Sequence, residues 1–133
     1  MKKLMPYHRL SVYQKSYQLA LEVHQLSRHF PTHEQYELAR QLRAVSKSIV
    51  ANIVEGMSKQ ESYAETRRFV RIAMGSCEET RLWIKFSKDL NYITLEVQEI
   101  FDNRYEEIGK MLRGIEKRYN ELINQVKKSF SSP

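Results

Sequence analysis

The sequence predicts an all-α protein, a single-domain antiparallel up-and-down four-helix bundle over residues 1–133, and three observations carry that prediction. Apolar side chains recur at alternating spacings of four and three along four long segments, the period of a helix that buries one face. Turn formers are scarce, with 4 glycines and 3 prolines in the chain, too few for an all-β fold. The links between the periodic segments are a few residues long, which leaves no room for crossovers and sets consecutive helices side by side in opposite directions. No segment alternates with the period of a strand, and no fixed-period internal repeat is visible.

The first helix is expected over about residues 11–29. Ser11-Val12-Tyr13-Gln14 has the form of a capping box, and Val12, Ser16, Leu19, Val23, Leu26 and Phe30 make one stripe. Pro31 closes the helix because it cannot donate a helical hydrogen bond and restricts the residue before it. The second helix, about 33–55, opens on the capping pattern Thr32-His33-Glu34-Gln35, buries Leu38, Leu42, Val45, Ile49 and Ile53, and ends at Gly56. The third, about 62–90, starts from Ser62 with Glu65 and carries Thr66, Phe69, Val70, Ala73, Cys77, Thr80 and Ile84, with Asn91 as a left-handed terminator. Thr94 caps the fourth, about 95–126, whose stripe is Phe101, Tyr105, Ile108, Leu112, Ile115, Tyr119, Leu122 and Val126. Gly109 and Gly114 weaken this helix without breaking it, and the tail from Lys127 to Pro133 is expected to fray.

Hydrophobic residues at 41% and charged residues at 29% describe a soluble globular chain. No apolar run approaches the roughly 18 residues of a membrane span, and no signal-peptide stretch follows Met1 to Pro6, so the expected location is the cytoplasm with no membrane partner. Cys77 is the single cysteine, which excludes an intrachain disulfide. On a core stripe it reads as a packed thiol rather than a nucleophile.

No catalytic constellation emerges. His24, His29 and His33 are the candidate metal cluster, but His29 and His33 flank Pro31 and do not share a helix face. The paired Glu-x-x-His motifs of a di-iron bundle, the spacing of a serine triad and a glycine-rich phosphate loop are all missing. No metal, no cofactor and no enzymatic activity are therefore expected.

The formal charge of +6 points instead to polyanions. Arg40, Arg43 and Lys47 cluster on the second helix opposite its core stripe, with no acidic residue between them. Arg67, Arg68, Arg71, Arg81, Lys85 and Lys88 give the third helix a longer basic surface, broken by Glu78 and Glu79. Such surfaces bind phosphate by releasing counterions, provided that carboxylates of the same fold do not neutralise them. On the fourth helix Lys110, Arg113 and Lys117 alternate with Glu106, Glu107 and Glu116, the pattern of a solvated face. Tyr36 and Tyr63 are read as packing residues.

Two further groups stand out. Ile72, Trp83, Phe86 and Leu90 fall within a sector of the third helix about 60° wide, roughly 100° from its core direction, and suit either a wide bundle or a subunit interface. Asn52 and Glu55 precede Gly56 on the last turn of the second helix, where Glu55 faces the negative end of the helix dipole and calls for a compensating partner. Gly75-Ser76 in mid-helix suggests a close approach to that backbone. Helix or subunit contacts are the expected role of these polar and small residues, a polar ligand site the alternative.

The run Gln41-Leu42-Arg43-Ala44-Val45-Ser46-Lys47-Ser48-Ile49-Val50-Ala51-Asn52-Ile53-Val54-Glu55-Gly56, with Arg68-Phe69-Val70-Arg71-Ile72-Ala73-Met74-Gly75-Ser76-Cys77-Glu78-Glu79, resembles the 23S rRNA-intervening-sequence protein family of bacterial four-helix bundles. Leu10-Ser11-Val12-Tyr13-Gln14, Phe30-Pro31 and Leu90-Asn91-Tyr92-Ile93 extend the likeness from about Tyr7 to Leu122. The resemblance implies a homo-oligomeric ring, commonly a pentamer, without enzymatic activity. Related bundles, the accessory variability determinants of diversity-generating retroelements, bind a reverse transcriptase and nucleic acid through a basic surface. Val50, where the family commonly has proline, and Val54, where it commonly has alanine, depart from the pattern and bear on helix geometry around Asn52 and Glu55. The expectation is a nucleic-acid-binding accessory protein that contacts RNA or DNA phosphates through Arg40, Arg43, Lys47, Arg67, Arg68 and Arg71. A scaffold docking a partner enzyme such as a reverse transcriptase is the alternative.

Overall fold

A computed structural model describes residues 6–131. Within them the chain forms α1 (Ser11–Ser27), α2 (Leu38–Met57), α3 (Tyr63–Asp89) and α4 (Leu95–Ser131), with short 3-10 turns at Tyr7–Arg9 and Thr32–Glu34, and no strand among the described residues. Cross-helix contacts run in opposite senses along each pair, which makes the bundle antiparallel. Arg43 reaches Ser27 between α2 and α1, Thr66 reaches Gly56 between α3 and α2, and Arg81 and Arg67 reach Asp102 and Asn120 between α3 and α4. Glu22–Arg104 and Lys15–Glu107 close the ring between α1 and α4. This last seam is the lightest, since α1 packs chiefly on α2.

The four stripes meet in one core that holds Leu19 and Val23, Leu42, Ile49 and Ile53, Val70, Ala73 and Ile84, and Tyr105, Ile108 and Leu112. Hydroxyls inside it are satisfied mostly by carbonyls of their own helices, with Thr66 Oγ1 donating across to Gly56 O of α2 at 2.9 Å. Thr80 Oγ1 donates to Ser76 O at 2.8 Å, Ser87 Oγ to Trp83 O at 2.8 Å and Ser27 Oγ to His24 O at 2.8 Å. The Cys77 thiol donates to Tyr105 O at 3.2 Å. Tyr105 is the exception, because its hydroxyl is buried without a hydrogen-bond partner among the described residues. Tyr105→Phe is therefore expected to raise stability by about 1 kcal/mol in urea denaturation, since it removes a desolvated hydroxyl and keeps the ring.

Helix ends depart from expectation where side chains find other partners. Ser11 is already inside α1, whose cap residue Leu10 has no side-chain bond, and Gln14 Nε2 donates instead to His8 O at 3.0 Å. The pattern at Thr32 yields a 3-10 turn, and α2 begins five residues later than expected, at Leu38, whose N–H reaches Glu34 Oε1 at 3.4 Å. Ser62 does cap α3 by accepting from Glu65 N–H, Thr94 accepts from Val97 N–H, and Asn91 adopts φ 66°. The segment read as a frayed tail is helical through Ser131. Beyond Tyr119, which packs edge-on against Tyr63 of the first turn of α3, α4 has run past its neighbours, and Val126 of the expected core stripe is exposed. Ser132 and Pro133 of that tail, like Met1 to Met5, lie outside the described residues.

The glycines reverse another expectation. Gly75 is exposed, and a Cβ built there would meet nothing within 4 Å, so no backbone among the described residues approaches it. The close approach is at Gly56, buried in the last turn of α2, which ends one residue later at Met57, and a Cβ there would stand 3.1 Å from Phe69 Cβ and 3.3 Å from Thr66 O. Gly75→Ala should add about 1 kcal/mol of stability from helix propensity, read as a rise in urea midpoint.

Candidate nucleic-acid interface

Arg40 and Lys47 stand two turns apart on α2, exposed and without a hydrogen bond or ion pair to any described residue. Glu79 lines the groove that Arg40 borders but forms no ion pair with it. Arg43 lies between them and behaves differently. Its guanidinium turns back toward the end of α1, with Nη1 donating to Ser27 Oγ at 2.9 Å and Gln35 Oε1 at 3.2 Å, and Nη2 donating to Gln35 O at 2.9 Å. Gln35 Nε2 in turn donates to Ser27 O and Phe30 O, both at 3.0 Å. This clamp pins the α1–α2 connection, yet every partner is neutral, so the charge of Arg43 remains uncompensated.

His24 on α1 and Arg28, which caps the C-terminal end of that helix, lie near Arg43 and Lys47. Burial first, and then the charges of Lys47, Arg43 and Arg28, push the His24 imidazole below its usual value. His24, Arg28, Arg43 and Lys47 thus share one electropositive field at the α1–α2 seam. The only carboxylates in α1 and α2 are Glu22, which pairs with Arg104, and exposed Glu55.

The longer basic surface of α3 has a different fate. Arg68 pairs with Glu65 at 2.8 Å and covers the Phe69 ring at 4.3 Å, while Arg71 pairs with Glu116 at 2.7 Å. Arg81 forks onto Asp102 at 2.9 and 3.2 Å, and Lys85 and Lys88 flank Asp89. Arg67 donates to Asn120 Oδ1 at 2.9 Å. Of the six cations expected to meet phosphate, carboxylates hold Arg68 and Arg71, neutral groups hold Arg43 and Arg67, and Arg40 and Lys47 have no partner among the described residues.

Three of the four expected interface residues, Ile72, Phe86 and Leu90, are exposed at 40–47%. Trp83 is half-buried, its ring 5.6 Å from that of Phe86 and its Nε1 donating to Glu79 at 3.2 Å. Leu82, off the expected sector, is exposed as well. Asn52 and Ser76 come together through Ser48, since Asn52 Nδ2 donates to Ser48 O at 2.8 Å and the Ser48 and Ser76 hydroxyls lie 2.9 Å apart. Glu55 has no compensating partner among the described residues. It is exposed, where water screens the helix end. The α2 helix passes unbroken through Val50 and Val54.

Tyr63 packs as expected, whereas Tyr36 is 83% exposed because the chain around it is a turn rather than a helix. Burial, then neighbouring Glu78, pushes the Cys77 thiol up to about 11, so it stays protonated at neutral pH. Among the described residues no three or more His, Cys, Asp or Glu side chains converge as a metal site, and no helix is long and apolar enough to cross a membrane.

His24 and Arg28 were not singled out from the sequence as partners of Arg43 and Lys47. The short link between the first two helices carried the signal, because it folds the end of α1 back beside the start of α2.

The solved structure of a protein with unknown function from the S23 ribosomal protein family of Bacteroides thetaiotaomicron is similar, with 30% identity and a TM-score of 0.74 over 80% of this chain and 95% of that one. No curated protein matches. The family model described as 23S rRNA-intervening sequence protein matches residues 8–114, most of the bundle including the α1–α2 cluster, and the chain belongs to that family.

Proposed function

We propose that the protein is a non-enzymatic, homo-oligomeric accessory protein of the cytoplasm that binds RNA or DNA through phosphate contacts. One observation carries this reading: Arg28, Arg40, Arg43 and Lys47 present charge that no carboxylate of the described residues pairs with, while most cations on α3 are tied to acids. Weight therefore moves to the α1–α2 side, with Arg67 at the margin and Arg68 and Arg71 in supporting positions. The name of the family, which refers to an intervening sequence of 23S rRNA, favours RNA as the first ligand to try.

Self-association is supported by the exposed Ile72, Phe86 and Leu90, and a five-membered ring is what the family resemblance implies. Sedimentation reads it directly, and a strictly monomeric mass removes it. The binding itself is tested by anisotropy of a labelled RNA across a salt series. Three to four phosphate contacts per chain give a slope of log affinity on log salt of about −2 to −4. An affinity that stays flat with salt sinks the reading.

A further inference from the structure

The basic cluster borders an apolar groove of about 480 Å³ between α1 and α2. Tyr17 and Leu21 of α1, each about half exposed at 50% and 49%, form one wall, and Val50 and Ala51 of α2 form the other. His24 and Lys47 stand among the lining residues as its two basic side chains, and none of the described lining residues is acidic. The groove thus joins two features. The Tyr17 ring stands among aliphatic side chains, and positive charge that no described carboxylate pairs with adjoins it through Lys47, with Arg43 and Arg28 behind it.

Duplex RNA offers phosphates but keeps its bases stacked inside, so an apolar slot gains nothing from it. A single strand offers a phosphate and an unstacked base one nucleotide apart, which is the pairing presented here. A second copy of the chain would also cover apolar surface, but it would have to bring acidic groups to Lys47 and Arg28. The chain is itself basic, at +6, which argues against that occupant. Glu55, one turn beyond Ala51, is the nearest carboxylate along α2 and sits past the apolar wall.

We infer that this groove takes a base of single-stranded nucleic acid against Tyr17 while Lys47 and its neighbours hold the adjoining phosphate. The inference rests on the proposed nucleic-acid function and assigns its ligand class, single strand over duplex. The Tyr17 ring supplies stacking, and Leu21 and Val50 exclude water from the base. Sequence choice is weak because every base has a π-face.

The test is anisotropy of a labelled 12-nucleotide oligouridylate and of a blunt RNA duplex of equal length, at one low salt concentration, with the full chain. The expected result is single-strand binding at least about tenfold tighter than duplex binding, lost in Tyr17→Ala and retained in Tyr17→Phe. Leu21→Asn, at a half-exposed site, provides a second reading if Tyr17→Ala unfolds, and should narrow the preference in the same direction. Equal binding of both RNAs, unchanged by Tyr17→Ala but weakened by Lys47→Gln, overturns the groove assignment and leaves the phosphate-binding function standing. A fall in sedimentation mass for Tyr17→Ala with unchanged RNA affinity assigns the groove to a second copy and overturns the inference. Absence of binding to either RNA removes both.

Discussion

Replacing Arg40 and Lys47 together by glutamate is expected to weaken RNA binding about a hundredfold at low salt. Each change removes a cation that has no partner among the described residues and puts an anion in its place, costing about a factor of ten per site. Because both side chains are exposed and make no hydrogen bond, stability should move by less than about 0.5 kcal/mol, so the loss is not one of folding. Arg68→Gln with Arg71→Gln is the matched control. Those guanidiniums already lie against Glu65 and Glu116, and their removal is expected to change affinity less than about threefold. Anisotropy at fixed ionic strength reads both pairs. If the control pair loses as much as the α2 pair, the contact surface is on α3.

Arg43→Met is expected to destabilise the chain by about 2–3 kcal/mol. Three charge-assisted hydrogen bonds from Arg43 to Ser27 and Gln35 are lost, and Gln35 Oε1 and O are left partly buried without them. Arg43→Lys separates clamp from charge. An ammonium cannot reproduce the fork, so urea denaturation should show most of the same loss, while the salt slope of RNA binding stays near that of the parent protein. A lysine variant as stable as the parent would remove the clamp from the account.

The stripes that form the core were legible because burial follows helical period with little help from context. Val23, Leu42, Ile49, Ala73, Ile108 and Leu112 are all sealed from solvent, as their spacing required. Where the period continued but the neighbours did not, it misled. Val126 keeps the register of Leu122 and still lies in water, because α3 begins at Tyr63 and has no turn left to cover it. Capping motifs were legible at Ser62 and Thr94 and illegible at Ser11 and Thr32. There a preceding 3-10 turn, or a glutamine bond to a distant carbonyl, satisfied the backbone instead.

The charged surface was half legible. Residue type and helical angle placed Arg40, Arg43 and Lys47 on one face. No spacing along a single helix could say that Glu116 of α4 would meet Arg71, or that Asp102 would meet Arg81. Those pairings depend on the register between α3 and α4, which packing sets. The same dependence hid Tyr17 and Leu21. They lie off the α1 core stripe and become a wall only when Val50 and Ala51 arrive opposite.

The light seam between α1 and α4 has a consequence of its own. Of the four rods α1 is the least anchored, held along that side by a pair of surface ion pairs, and its protection against hydrogen exchange should be the lowest of the four. A strand laid across α1 and α2 would work as a clasp on this rod. Occupancy would then be felt as slowed opening of the Tyr17–His24 stretch, far from the rigid α3–α4 half.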